Sequence, residues 1–174
     1  MRSRPTTAVS PDLLRRVCGH WATGIAVVTG TAPDGTPRGL AVNSFTSLSL
    51  DPPLVLFAPA ATSTTWPDLR ATGKFAVNIL AADQGALARS FAQSGGDKFA
   101  DVALVDSEDG LPYLAGAVAR LVCDIELVHP GGDHDIAVGR VLAAEHFDHV
   151  APLLFYRGRT VSTAVDLTST SSRV

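Results

Sequence analysis

The chain has 174 residues, of which 46% are hydrophobic and 18% charged, and its net charge is −3. At roughly 100–200 residues per domain this is a single domain, apolar enough to bury a core and too apolar for disorder along most of its length. Fourteen basic residues against 17 acidic ones give no surface that would neutralise a row of phosphates, which argues against a nucleic-acid binder.

Two cysteines, Cys18 and Cys123, are too few for a disulfide-stapled scaffold or a zinc ribbon, and neither lies in a CxxC. Residues 1–10 are polar and lack the apolar stretch of a signal peptide. The longest apolar runs fall far short of the roughly 18–20 residues of a membrane span. The expectation is a soluble, cytoplasmic protein.

In chain order, Ser10-Pro11-Asp12 reads as a helix start, with a capping hydroxyl, proline in the first turn and an acid facing the dipole. Leu13, Leu14, Val17 and Trp21 follow at helical spacing as one apolar stripe, and Thr23-Gly24 ends it. Residues 25–29 are a β-branched strand, the turn Pro33-Asp34-Gly35 reverses it, and 40–42 run back beside it. The stretch 43–49 alternates small polar with larger apolar side chains, and 54–58 are a short apolar strand. A short helix spans 65–72, closed by Gly73, and a strand covers 75–80. Asp83 is expected to cap a helix carrying Leu87 and Phe91 that ends near Gly95-Gly96.

An acidic loop over 97–112 leads to two long alternating strands, 117–128 and 136–147, joined by Pro130-Gly131-Gly132-Asp133. A last strand covers 153–156. The domain is expected to span 11–165, after a flexible N-terminus (1–10) and before a frayed Ser/Thr-rich tail (166–174). Six or seven strands returning through short turns are antiparallel, so the predicted fold is mainly β, an antiparallel barrel with about three helices. No GxGxxG or GxxxxGK[ST] occurs, which disfavours a Rossmann or P-loop nucleotide site.

The densest polar stretches are Asn43 to Ser49 and Thr62-Ser63-Thr64-Thr65. Hydroxyls and an amide suit an uncharged ligand with many acceptors, such as a flavin ring with its ribityl chain, although strands and caps also use such residues. Ser63 to Thr65 stand at a predicted helix start, where free N–H groups favour phosphate. His134 lies between two acids and is placed to touch a cofactor or to remain an exposed loop residue. A metal site with His129 and Asp133 lacks a third ligand at a known spacing, so no metal is expected. Lys98, Arg89, Arg157 and Arg159 are cations that meet a phosphate or form surface ion pairs. No nucleophile constellation such as GxSxG occurs, so an enzyme here needs a cofactor to carry the reaction.

The run Gly19-His20-Trp21-Ala22-Thr23-Gly24-Ile25-Ala26-Val27-Val28-Thr29 resembles the opening of the flavin reductase domain family, the short-chain NAD(P)H:flavin oxidoreductases. Six further blocks resemble it in order: Val42 through Pro53, Ser63-Thr64-Thr65-Trp66-Pro67, Phe75 through Leu80, Gly96-Asp97-Lys98-Phe99, Gly131-Gly132-Asp133-His134 and Leu154-Phe155-Tyr156-Arg157-Gly158. Together they cover about 12–160 at family-like spacing.

The resemblance implies an FMN-binding split β-barrel that binds FMN or FAD, usually as a homodimer with the flavin at or near the subunit interface. It further implies hydride transfer from NADH or NADPH to the flavin, which then serves a partner flavin-dependent oxygenase. Carried over by position, Val42, Asn43, Ser44, Phe45, Thr46, Ser47 and Ser49 contact the ring and ribityl chain. Phe57, Ala58 and Pro59 lie along the ring, and Ser63, Thr64 and Thr65 near the phosphate. Arg89, Ser90, Phe91 and Lys98 complete the phosphate or adenylate side, and His134 lies near the nicotinamide. No dedicated catalytic residue is expected, because ring stacking performs the transfer. Two rivals are a non-catalytic flavin- or heme-binding split-barrel protein and an oxidase of pyridoxamine phosphate type, whose phosphorylated substrate calls for more cations than this chain carries.

Overall fold

The computed structural model describes residues 8–148 and 150–162, so the expectations for 1–7 and for the 166–174 tail lie outside the described residues. Ser10 caps helix α1 (Pro11–Cys18) as expected, its hydroxyl accepting the Leu13 N–H at 3.2 Å. The apolar stripe of α1 does not face the core, however. Leu13, Leu14, Val17 and, beyond the helix, Trp21 (78% exposed) all lie on the surface. The periodicity correctly marks an amphipathic helix, but it carries no information about what covers the apolar face.

The central feature is a seven-stranded antiparallel sheet in the order β3-β2-β6-β9-β10-β5-β4. Its strands are β2 (Ala26–Thr31), β3 (Pro37–Val42), β4 (Thr46–Leu50), β5 (Pro53–Phe57), β6 (Lys74–Ile79), β9 (Ala119–Gly131) and β10 (His134–His146). β9 and β10 are the long strands expected, each 13 residues, joined by the tight Gly132-Asp133 turn in which Gly132 has φ +80°. Gly132 supplies the positive φ that such a turn needs. Helix α2 (Trp66–Thr72) and helix α3 (Gly85–Ala92) pack on this sheet.

β3 and β4 are consecutive in the chain yet form the two opposite edges of the sheet. Only Asn43, Ser44 and Phe45 connect them. A flat sheet of seven strands at about 4.8 Å spacing separates its edges by about 29 Å, whereas the step from Val42 to Thr46 reaches about 14 Å at full extension. The sheet must therefore curl until its edges approach, which makes it a split barrel. Val42 of β3 and Val55 of β5 accordingly share one core cluster with Phe57, Trp66 and Phe75. Phe57 meets Trp66 and Phe75 edge-to-face at 5.5 and 5.3 Å.

A second cluster (Ile25, Val27, Leu80, Ala88, Phe91, Leu114, Leu153) lies under α3. A side chain at Gly39 of β3 would collide with the Phe91 ring, so only glycine lets the helix sit this close. Inside the barrel wall, the fully buried Asn78 donates to the Val27 carbonyl and the Thr29 hydroxyl at 3.1 and 3.0 Å and accepts the Leu114 N–H at 2.9 Å.

Short strands account for most differences from the sequence reading. Thr23–Gly24, expected to stop a helix, forms β1 and pairs with β11 (Leu153–Tyr156). β12 (Arg159–Ser162) extends that sheet, and the acidic loop holds the two-residue β7 (Leu104–Val105), which pairs with β8 (Tyr113–Leu114). Helix α3 starts two residues later than Asp83, and Gln84 takes the N-terminal position, its Oε1 accepting the Ala81 N–H. Among the described residues no helix is long and apolar enough to cross a membrane.

Candidate functional site

The connection that crosses the split forms one wall of a cavity of about 260 Å³. Val42, Asn43 and Ser44 come from the end of β3 and the strap after it, and Ala58, Pro59 and Ala60 from the chain leaving β5. Thr62 to Thr65 lead into α2, Phe91 to Ser94 end α3, and Lys98 and His134 complete the lining. Apart from these last two the lining is uncharged. Hydroxyls, an amide and small apolar side chains surround a space with one ammonium and one imidazole.

Several hydrogen bonds fix these walls. Ser44 Oγ accepts the Ala58 N–H at 2.9 Å and donates to the Ala58 carbonyl at 3.3 Å. Ser63 Oγ accepts the N–H groups of Thr65 and Trp66 at 3.3 and 3.1 Å. Of the Ser63 to Thr65 N–H groups expected to face a phosphate, that of Thr65 is thus taken by the Ser63 hydroxyl and that of Ser63 by the Ala60 carbonyl at 2.9 Å. Lys98 is the cation in place. Its ammonium donates to the carbonyls of Gly39 and Phe91 at 3.2 and 3.3 Å, and burial holds its pKa below the ordinary lysine value.

His134 opens β10, and a bridge to Ala60 pins its backbone against the cavity wall. Its Nδ1 lies 2.7 Å from Asp133 Oδ1. A carboxylate only accepts, so Nδ1 carries the proton and Nε2 remains available. The same hydrogen bond is the main reason that the Asp133 pKa is lowered. Next along the chain, Asp135 accepts the Trp66 indole N–H at 2.8 Å with Arg70 at 3.6 Å, which ties the start of α2 to the hairpin. Among the described residues no three His, Cys, Asp or Glu side chains gather at metal-binding separation.

Of the candidates named from sequence, Val42, Asn43, Ser44, Ala58, Pro59, Ser63, Thr64, Thr65, Phe91, Lys98 and His134 all line this one cavity. Others lie elsewhere. Phe57 is wholly buried in the core and Phe45 packs on that core. Thr46 and Ser47 are exposed on the edge strand β4, which also carries Ser49, and Ser90 is exposed on α3. Arg89 lines a separate pocket of about 210 Å³ with Ile25, Phe155 and Thr160, which shares Ala41, Val42, Asn43 and Ala92 with the main cavity. Sequence reasoning missed the lining residues Gln93 and Ser94. Their signal was the coming Gly95-Gly96, which marks a helix end and hence a loop free to form a wall.

A flavin fits this lining. The neutral hydroxyl and amide wall suits the ring and its polyol chain, and the half-buried Lys98 offers a phosphate its charge. Comparison with known proteins points the same way. The family model described as flavin reductase like domain matches residues 18–164. The reductase subunit HsaB of a flavin-dependent monooxygenase from Rhodococcus jostii is 42% identical over 161 residues, covering 92% of this chain and 82% of that protein. The FMN reductase (NADH) SmoA from Agrobacterium fabrum is 43% identical over 144 residues, covering 83% of this chain and 81% of its own. The NADH:FAD oxidoreductase SgcE6 of Streptomyces globisporus, solved in complex with NAD and FAD fragments, superposes with a TM-score of 0.84 at 41% identity, over 95% of this chain and 98% of that one.

Proposed function

This chain belongs to the flavin reductase like domain family, and from that premise we propose that it reduces FMN or FAD with NADH or NADPH and supplies the reduced flavin to a partner oxygenase. The observation that carries the reading is the cavity at the split of the barrel, lined by neutral hydrogen-bonding groups with Lys98 and His134 beside them. Relatives that are reductase components of two-component monooxygenases support the oxygenase partner.

When bound, the flavin supplies the acceptor for a hydride leaving the nicotinamide as its oxidised, cationic form. The protein's share is orientation, because such a transfer needs donor and acceptor about 3–3.5 Å apart and aligned. The Val42–Ser44 wall, locked to Ala58, and Pro59 hold the ring, while Lys98, Ser63 and Thr64 hold the phosphate. His134, pinned by Ala60 and Asp133, orients the nicotinamide. No proton moves in the hydride step, which accounts for a lining with so few titratable groups.

The protein works as a homodimer with the flavin near the subunit interface. Support comes from β4, an edge strand with no Lys or Pro within it, on which Leu48 and Leu50 (92% exposed) stand beside the exposed Thr46 and Ser47. Sedimentation should report a dimer that Leu50→Glu shifts to monomer.

The deciding experiment follows oxidation of NADH and NADPH by the purified protein with FMN, FAD or no added flavin. Turnover that depends on added flavin and exceeds one equivalent is the expected result. Flavin binding without turnover would instead favour the non-catalytic binding protein.

A further inference from the structure

His134 stands between two acids, and the two have different partners. Asp133 Oδ1 lies 2.7 Å from His134 Nδ1 and sets the rotation of the ring. Asp135 is turned the other way, since successive strand residues point to opposite faces. Its Oδ2 accepts the Trp66 indole N–H at 2.8 Å, with Arg70 Nη1 3.6 Å away. We propose that Asp135 is a positioning residue for the reduced nicotinamide: through the Trp66 indole it fixes the strand that carries His134 into the cavity. The inference rests on the flavin reductase reading above.

The far end of this hydrogen bond is immobile. Trp66 is buried, its indole meets Phe57 edge-to-face at 5.5 Å, and its backbone N–H donates to Ser63 Oγ at 3.1 Å. An indole N–H only donates, and a buried one left unpaired is costly, so the Asp135 carboxylate is held firmly as its acceptor.

The near end needs such a hold. The Asp135 N–H donates to the Pro59 carbonyl at 3.0 Å and the Ala61 N–H to the Asp133 carbonyl at 2.9 Å, on either side of the bridge between Ala60 and His134. Two bonds along one strand edge fix the spacing of the strands but leave rotation about that edge. The Asp135 side chain projects out of the sheet, so its bond to Trp66 lies off the edge and removes the rotation. His134, on the opposite face of the same strand, is held with it.

Trp66 also belongs to the wall of the flavin site. Ser63, Thr64 and Thr65 line the cavity immediately before it in the chain, and Ser63 Oγ binds its N–H. The bond from Trp66 to Asp135 therefore ties the residues that hold the flavin phosphate to the histidine that orients the nicotinamide. Hydride transfer needs the two rings aligned at about 3–3.5 Å, so a loosened histidine is felt in nicotinamide binding although Asp135 touches neither ring.

The test measures KM and kcat for the reduced nicotinamide on the full chain at saturating FMN, with flavin Kd from fluorescence titration. Asp135→Ala and Trp66→Phe each break the bond, whereas Asp135→Asn keeps an acceptor for the indole. Both bond-breaking variants should raise KM about fivefold, with kcat and flavin Kd changed less than about twofold. Asp135→Asn should stay near the wild type. In a His134→Ala background, Asp135→Ala should add nothing further, because its effect runs through the histidine. Independent, additive losses in that double variant would overturn the proposal, as would an Asn variant as impaired as the Ala one. An unchanged KM, or flavin affinity lost in step with nicotinamide affinity, would reduce the bond to a structural tie and leave the reductase reading standing. A wild-type protein that oxidises no reduced nicotinamide with added flavin would remove both readings together.

Discussion

Ser44 and Ala58 brace a wall of the cavity at the split through a reciprocal pair of hydrogen bonds. The Ser44 hydroxyl accepts the Ala58 N–H at 2.9 Å and donates to the Ala58 carbonyl at 3.3 Å. One side chain thus satisfies both backbone polar groups of one residue where the chain leaves the sheet, and so fixes the strap that crosses the split. Ser44→Ala leaves the Ala58 N–H without this partner, at a cost of about 1–2 kcal/mol. Urea unfolding should show that loss, and flavin titration a several-fold weaker Kd. Unchanged flavin affinity would mean that the strap does not shape the site.

Asn78 carries a larger structural role. All its bonds lie in the dry interior, to Val27, Thr29 and Leu114. Asn78→Leu would strand the Leu114 N–H and remove the partner of the Thr29 hydroxyl, which itself donates to the Pro112 carbonyl at 2.6 Å. The expected loss is about 2–4 kcal/mol in chemical denaturation, with the slope against denaturant unchanged.

The cation of the site gives a pH dependence with a definite sign. Burial disfavours the charged form of Lys98, so its pKa lies below the ordinary value of 10.5 and the proton is lost earlier as pH rises. Binding energy from the ammonium is present below that pKa and lost above it. FMN affinity, measured against riboflavin as a reference without phosphate, should therefore begin to fall before pH 10.5 is reached. Lys98→Met should bring the two affinities together at all pH values, a loss for FMN of about tenfold.

At His134, which lines the cavity, the Asp133 carboxylate fixes the ring through Nδ1 and leaves Nε2 without that partner. His134→Ala should raise the KM for the reduced nicotinamide several-fold with flavin Kd nearly unchanged. Asp133→Asn should reproduce part of that effect by releasing the ring. Steady-state kinetics alongside flavin titration checks both, and equal loss of flavin and nicotinamide binding would count against the assignment.

The cysteines should react on different timescales. Burial pushes the Cys123 thiol up to about 12, while Cys18 is exposed on α1. Only the thiolate is nucleophilic, so a disulfide reagent should label one thiol per chain under native conditions and the second only on unfolding. Cys18→Ser should abolish the fast phase.

The order of strands and helices, the mainly β class and most of the cavity lining were legible in the sequence. Local chemistry sets them: β-branched runs, the Ser10 cap, the Gly132 turn, and the polar stretches around Asn43 and Ser63 that supply the lining. Two-residue strands such as β1 and β7 were not legible, because so short a segment becomes a strand only when a distant partner, here β11 or β8, comes alongside. The sequence likewise could not separate Phe57, which points into the core, from Ala58, which lines the cavity, since strand alternation gives two faces without saying which face meets the ligand. The solvent side of α1 was hidden for the same reason.

The amino-acid sequence by itself determined which segments are strands, where they turn, and that neutral hydrogen-bonding side chains cluster in two stretches. Only the tertiary structure decided that a three-residue strap joins the two edges of one sheet, curling it so that β3, the end of β5, the start of α2 and the hairpin at His134 enclose a single space. It alone placed Lys98 between that space and a larger cleft beside Arg38 and Asp68. Distances between elements far apart in the chain depend on how the sheet closes, and no local pattern encodes that closure.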